Sequence, residues 1–157
     1  MNTGHYEKAC CVTGHRDIPA EKMEYVKSEL RKEVLQAVED GYTYFISGFA
    51  KGTDLIFASI VADLMAEYPK LMLEAAIPYR KRMNTPDPEF HRLIGKCKTI
   101  GVHSEEYNPA SFMIRNRFMV SHSQRIIAVY DGRGKGGTVF TMKEAHSQNR
   151  EVCVIRI

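Results

Sequence analysis

Short apolar runs of strand length alternate with stripes of helical period from one end of the chain to the other. The first run covers residues 8–13. The next stretch, 19–40, puts Met23, Val26, Leu30, Val34 and Val38 on one face, and Gly41 is its stop. A strand is predicted at 42–46, then a helix that starts near Asp54, carries Leu55, Ala58, Val61 and Met65, and ends before Pro69. Strand 71–77 leads into a polar, Pro-rich segment with a short helix near 89–97. A weaker strand at 98–103 and a helix at 109–122, with Pro109 at its first position, follow. Strand 125–130, helix 138–149 and strand 151–157 complete the pattern. Strands that alternate with helices predict an α/β fold, with a mostly parallel sheet of about six strands covered by helices on both faces. Nothing divides the chain internally, so residues 1–157 are expected to form one domain. The longest irregular stretch, 78–88, is a candidate active-site loop.

Composition adds little to that picture. The length of 157 residues suits one sizeable core, and the formal charge of +3 hints at an anionic ligand without the strong basic footprint of a dedicated nucleic-acid binder. No apolar run is long enough to span a membrane, and the opening "MNTGHYEKA" lacks the pattern of a signal peptide, so a cytoplasmic location is expected. Cys10, Cys11, Cys97 and Cys153 form no CxxC pair, and Cys10 and Cys11 point to opposite faces of a strand. Buried free thiols are the reading. His5, His91, His103, His122 and His146 are scattered without metal-site spacing, so no metal is expected.

The chemistry gathers where the strands end. Ligands of open parallel sheets bind beyond the carboxyl ends of the strands. At the first such end, "CCVTGHRDIP" closes on Thr13, Gly14, His15 and Arg16. Gly14 permits close backbone approach, His15 is a hydrogen-bond donor, and Arg16 suits a phosphate. A plain tight turn with two solvated side chains is the competing reading. At the second end, "SGFAKGTD" offers Ser47, Gly48, Ala50, Gly52 and Asp54. Asp54 alone reads equally as a helix cap, but capping does not account for the two glycines around a small residue. At the third, "DGRGKGGT" runs from Asp131 to Gly136, Gly137 and Thr138, which would present backbone amides at a helix start. A flexible loop with Thr138 as cap is the alternative. Pro78 and Tyr79 stand at a further strand end, ahead of the basic "YRKR". In "MIRNRFMVSHS", Arg115 and Asn116 are placed to reach the sheet edge or to form a solvated basic face, while Met113, Phe118 and Met119 read as core. The helix around 112–119 and its methionines fit self-association as well as an ordinary core.

Taken together these residues resemble the SLOG superfamily, and within it the YpsA-like proteins. The resemblance rests on Thr13-Gly14-His15-Arg16, on Ser47-Gly48-x-Ala50-x-Gly52-x-Asp54, on Arg115-Asn116, and on Gly136-Gly137-Thr138 ahead of a helix with Ala145. It implies a Rossmann-like three-layer sandwich that binds a nucleotide or nucleotide derivative through those loops, as a sensor or signalling component, with no certain cofactor. Two further branches imply alternatives. LOG-type enzymes hydrolyse the N-glycosidic bond of a nucleoside monophosphate, for which Arg115 and Asp54 would be the catalytic candidates. They carry a glutamate three residues after the loop threonine, where this chain has Thr141. Oxocarbenium-like chemistry needs a carboxylate, and Glu144 lies a helical turn too far on. The DNA-processing protein A branch implies a single-stranded nucleic-acid-binding module, with "YRKR" as its patch.

Overall fold

The structure is a computed structural model that describes residues 8–157. The opening segment and His5 lie outside the described residues. Among the described residues six strands are present: β1 (Ala9–Gly14), β2 (Tyr44–Ser47), β3 (Met72–Ile77), β4 (Thr99–Val102), β5 (Arg125–Tyr130) and β6 (Glu151–Arg156). Five α-helices connect them: α1 (Met23–Glu39), α2 (Thr53–Leu64), α3 (Pro88–Ile94), α4 (Ser111–Ser121) and α5 (Gly137–Ser147). Every described pairing is parallel and the strand order is β4-β3-β2-β1-β5-β6. The expected three-layer α/β sandwich is therefore the architecture of the chain.

Strand alternation divides the core. Cys10, Val12, Phe45, Leu73, Ala75 and Ile77 face α1, α2 and α3 in the larger cluster. Cys11, Tyr44, Ile46 and Ala76 face α4 and α5 in the smaller one, where Met119, Val120 and Ala145 cover them. A period-2 strand sends neighbours to opposite layers, which is why the adjacent cysteines part company. Glu74 is buried on the second face, where its carboxylate accepts from the Tyr44 hydroxyl.

Element ends depart from the sequence pattern at three places. Residues Ala20–Lys22 form a 3-10 turn, so α1 starts at Met23 rather than at Pro19. α4 starts at Ser111, not at Pro109. Asn108 Oδ1 accepts from the Ala110 N–H at 2.8 Å and the Ser111 hydroxyl accepts from the Asn108 N–H at 3.0 Å, which holds the preceding residues in a turn. The stretch 78–88 is not wholly irregular, because Arg80–Asn84 forms a 3-10 turn, and Asp87 then caps α3 ahead of Pro88. Met113, expected in the core, is 43% exposed, since α4 turns Arg115, Met119 and Val120 inward instead.

The α1 seam is expected to dominate stability. Leu30 is fully buried, whereas Tyr25 on the same helix is half exposed. Leu30→Ala should cost about 2–5 kcal/mol in urea unfolding, and Tyr25→Ala within about 0.5 kcal/mol of zero. Equal losses from both would contradict this packing.

Candidate functional site

The strand order reverses its chain sense at β1, which lies between β2 and β5. That is the switch point at which open α/β sheets form their crevice. The β1–α1 and β2–α2 loops are fused there by backbone contact. Thr53 donates both its N–H and its hydroxyl to the His15 carbonyl, at 3.2 and 3.0 Å. A Cβ on Gly14 would fall 2.4 Å from the Thr53 side chain. Gly52 has φ +86°, and a Cβ there would meet the Arg16 carbonyl at 2.7 Å. These two glycines serve loop-on-loop packing. Ser47 serves the same loop, donating to the Asp54 carbonyl at 2.9 Å and accepting from the Phe49 N–H at 3.2 Å.

Beyond these loops a cleft of about 310 Å³ opens between the strand ends, α4 and α5. It brings together Thr13, Gly14, His15 and Arg16 from the first loop with Ala50 and Asp54 from the second. Arg115 and Asn116 enter from α4, and Gly137 and Thr138 from α5. Ser47, Gly48, Gly52, Pro78, Tyr79, Asp131 and Gly136 do not line it. Of these, Gly48 and Asp131 support lining side chains directly, and Tyr79 meets the lining ring of Phe112 edge-on at 5.9 Å.

Arg115 is the floor. It is 4% exposed, so the solvated basic face does not form. Its Nη1 donates to the Gly48 carbonyl at 2.7 Å and the Ala76 carbonyl at 3.0 Å, and its Nε donates to Asn116 Oδ1 at 2.7 Å. Burial pulls the guanidinium down to about 10, against the opposing charge of Asp54. Asp54 Oδ2 accepts from the Ala50 N–H at 3.2 Å. Burial raises this carboxyl above its ordinary value, and Arg115 only partly offsets that. A Cβ on Gly48 would lie 2.7 Å from the Asp54 carboxylate and 2.8 Å from Arg115 Nη1, so only glycine leaves both charges room.

The opposite wall is the start of α5. Its cap residue is Gly136, with φ +116° and no side-chain cap. Thr138 is not the cap but a residue of the first turn, with its hydroxyl 3.5 Å from His15 Nδ1. His15 Nε2 lies 3.1 Å from both the Asp131 N–H and Asp131 Oδ1, so it accepts from the backbone when bare and donates to the carboxylate when protonated. Burial, then the nearby Arg133 charge, lowers the His15 pKa, with Asp131 and Asp17 pulling the other way. Arg133 itself pairs with Asp131 at 2.6 Å and Asp17 at 3.3 Å, pinning the glycine-rich loop beside the cleft.

Sequence reasoning missed Val12, Phe112, Met119, Arg133 and Thr141 in the lining. Phe112, Arg115, Asn116 and Met119 repeat at helical spacing, so one face of α4 was available as a signal. Arg133 lay inside the glycine-rich loop already singled out. Thr141 follows Gly137 by one turn and donates to its carbonyl at 2.9 Å. Glu144 points away, paired with Arg117 at 3.1 Å.

Two outcomes are expected from this geometry. Arg115→Met should destabilise by about 3–5 kcal/mol, since it strands the Asp54 charge, and adding Asp54→Asn should recover part of that loss. A double variant as unstable as the sum of the single ones would contradict the coupling. His15, with its native pKa lowered, favours the fold at neutral pH and loses that contribution as pH falls through its native pKa, below the ordinary 6.5. His15→Gln should therefore flatten the pH dependence of chemical denaturation on the acid side of 6.5.

Comparison with known proteins agrees with this architecture. The chain is 27% identical over 155 residues to a UPF0398 protein of Bacillus pumilus, covering 89% of this chain and 82% of that one. DNA processing protein A of Helicobacter pylori superposes with a TM-score of 0.70 at 18% identity, over 98% of this chain and 68% of that one. The Streptococcus pneumoniae DNA processing protein A gives 0.68 at 18% identity, over 93% of this chain and about half (49%) of that chain. At such identity the two structures speak for the fold. The family described as the YspA SLOG family matches residues 3–156, and the chain belongs to it.

Proposed function

We propose that the chain binds a phosphorylated nucleotide derivative in the cleft, as a cytoplasmic sensor or signalling component. The observation that carries this reading is the uncapped start of α5. Gly137 and Thr138 open into the cleft with no side-chain cap, and Arg16 and Arg133 flank them. Free amides at a helix start and guanidinium groups both favour a phosphate. His15 Nδ1 lies 3.5 Å from the Thr138 hydroxyl in the same corner, while Asp54 and Thr141 offer acceptors to sugar hydroxyls. Phe112 gives the cleft an apolar ring, at present covered by Arg16 at 5.1 Å.

A second reading is a single-stranded nucleic-acid-binding module. Its support is the aromatic row Tyr107–Tyr79–Phe112, with ring spacings of 5.2 and 5.9 Å, beside Arg80, Lys81 and Arg82. Single-stranded DNA binding is named for the Helicobacter pylori structure. The hydrolase reading keeps Arg115 and Asp54, but Thr141 stands where a carboxylate would be needed.

Thermal denaturation and titration calorimetry with nucleosides, nucleoside phosphates, dinucleotides and short single-stranded DNA separate the readings. A phosphorylated nucleotide should raise the midpoint where its nucleoside does not, and Arg133→Ala should weaken it about tenfold or more. Equal binding of the unphosphorylated nucleoside would overturn the phosphate assignment. Binding only of single-stranded DNA, falling steeply with salt, would favour the second reading. Free base and ribose 5-phosphate in the same mixtures would restore the hydrolase.

A further inference from the structure

A second cavity, of about 770 Å³, lies on the other side of the first loop, between α1 and α2. Arg16 borders both this groove and the cleft, so the β1–α1 loop is the wall between them. Its apolar lining is aliphatic: Ile18, Met23 and Ile56 are half-buried, and Leu55 and Ile60 lie deeper. None of its lining residues is aromatic.

The rim is charged, and its charges are unevenly satisfied. Of the acids, Asp17 is paired with Arg133 and Glu89 with Arg92, which leaves Asp63 as the one without an ion pair among the described residues. Of the cations, Arg31 and Lys51 have no ion pair among the described residues, and Lys27 has a loose one to Glu24 at 3.8 Å, with half of its side chain exposed. Met23, Lys27 and Arg31 recur at i, i+4 and i+8, so one apolar and two cationic groups run along a single helix edge for about 12 Å.

We infer that this groove is a docking surface for an acidic amphipathic segment of a partner protein. A short helix with apolar side chains on one stripe and carboxylates beside it would fill the aliphatic floor and meet Lys27, Arg31 and Lys51. That is the helix-in-groove mode, in which apolar anchors supply affinity and flanking charges supply register and rate. Nucleic acid fits less well, because carboxylates share the rim and no ring is available for base stacking. The inference stands on the groove alone and does not require any ligand in the cleft.

The test is a display selection of linear peptides of about 15 residues against the full chain without added nucleotide. Enriched peptides should interleave Asp or Glu with Leu, Ile, Met or Phe at helical spacing. In fluorescence anisotropy, the Arg31→Glu, Lys51→Glu double variant should weaken the best peptide about tenfold, and raised salt should weaken it too. Ile56→Ser should weaken it independently of salt. These positions are at the surface or its margin, and an unchanged far-ultraviolet spectrum would establish that the variants fold. No enriched acidic amphipathic class overturns the inference. So does a peptide indifferent to the double variant. A peptide whose affinity follows Phe112→Ala instead is seated in the cleft, which Phe112 lines and the groove does not share, and that overturns the inference as well and leaves the cleft reading untouched.

Discussion

Everything at the carboxyl edge of the sheet is arranged around one buried cation. A guanidinium removed from water loses several kcal/mol of hydration unless dipoles and opposite charge replace it. For Arg115 that replacement comes from the carbonyls of Gly48 and Ala76, the Asn116 side chain and the neighbouring Asp54. The two carbonyls belong to neighbouring strand ends, so the same bonds that solvate the charge also tie α4 to β2 and β3. The price is paid in side-chain volume, since residue 48 has no space for a Cβ between the two charged groups. Phe112 lies 5.7 Å from the guanidinium and adds a polarisable cover on the cleft side.

The three glycine-rich turns look alike in sequence and do different work. In the first two, Gly14 and Gly52 let one loop rest on the other's backbone through Thr53. In the third, nothing approaches within 4 Å of a Cβ added at Gly132, Gly134 or Gly136, and the loop is held by Arg133 and by the Asp131 contacts to His15. Packing explains the first two glycine turns without any ligand. The third has no such explanation. The second and third both lead into helices without a side-chain cap, but at α2 the Thr53 N–H is taken by the His15 carbonyl, whereas the start of α5 opens into the cleft. The argument for an anion therefore rests on α5 rather than on the number of glycines.

The fold was legible because each strand is a short apolar run and α1 carries an uninterrupted stripe, signals that belong to single elements. The site was legible only in part. His15 and Asp131 meet because β1 and β5 pair, with Gly14 opposite Val129, and no local pattern records a contact across that separation. Arg115 was visible as a residue but not as a buried one. α4 presents Met113 and Ile114 to solvent and Arg115 to the core, the reverse of the usual amphipathic order, so periodicity could not say which face it hides. Pro109 misled the reading of the α4 start because the side chain of Asn108 organises the turn before it.

The chemistry of the lining bears on whether a bound nucleotide would be held or cleaved. Asp54 is the only carboxylate among the residues that line the cleft. Burial raises its pKa, Arg115 partly offsets that, and one of its oxygens already accepts from Ala50. Steadying an oxocarbenium-like transition state asks for a charged carboxylate, and a second group to move the proton. Thr141 is neutral, and its hydroxyl proton is directed at the Gly137 carbonyl. His15 Nε2 is tied to the backbone and the carboxylate of Asp131. On the proposed reading such a lining would hydrogen-bond a sugar and seat a phosphate, and that reading ranks retention of the ligand above its turnover because a glycosidic hydrolase works with a paired acid and base.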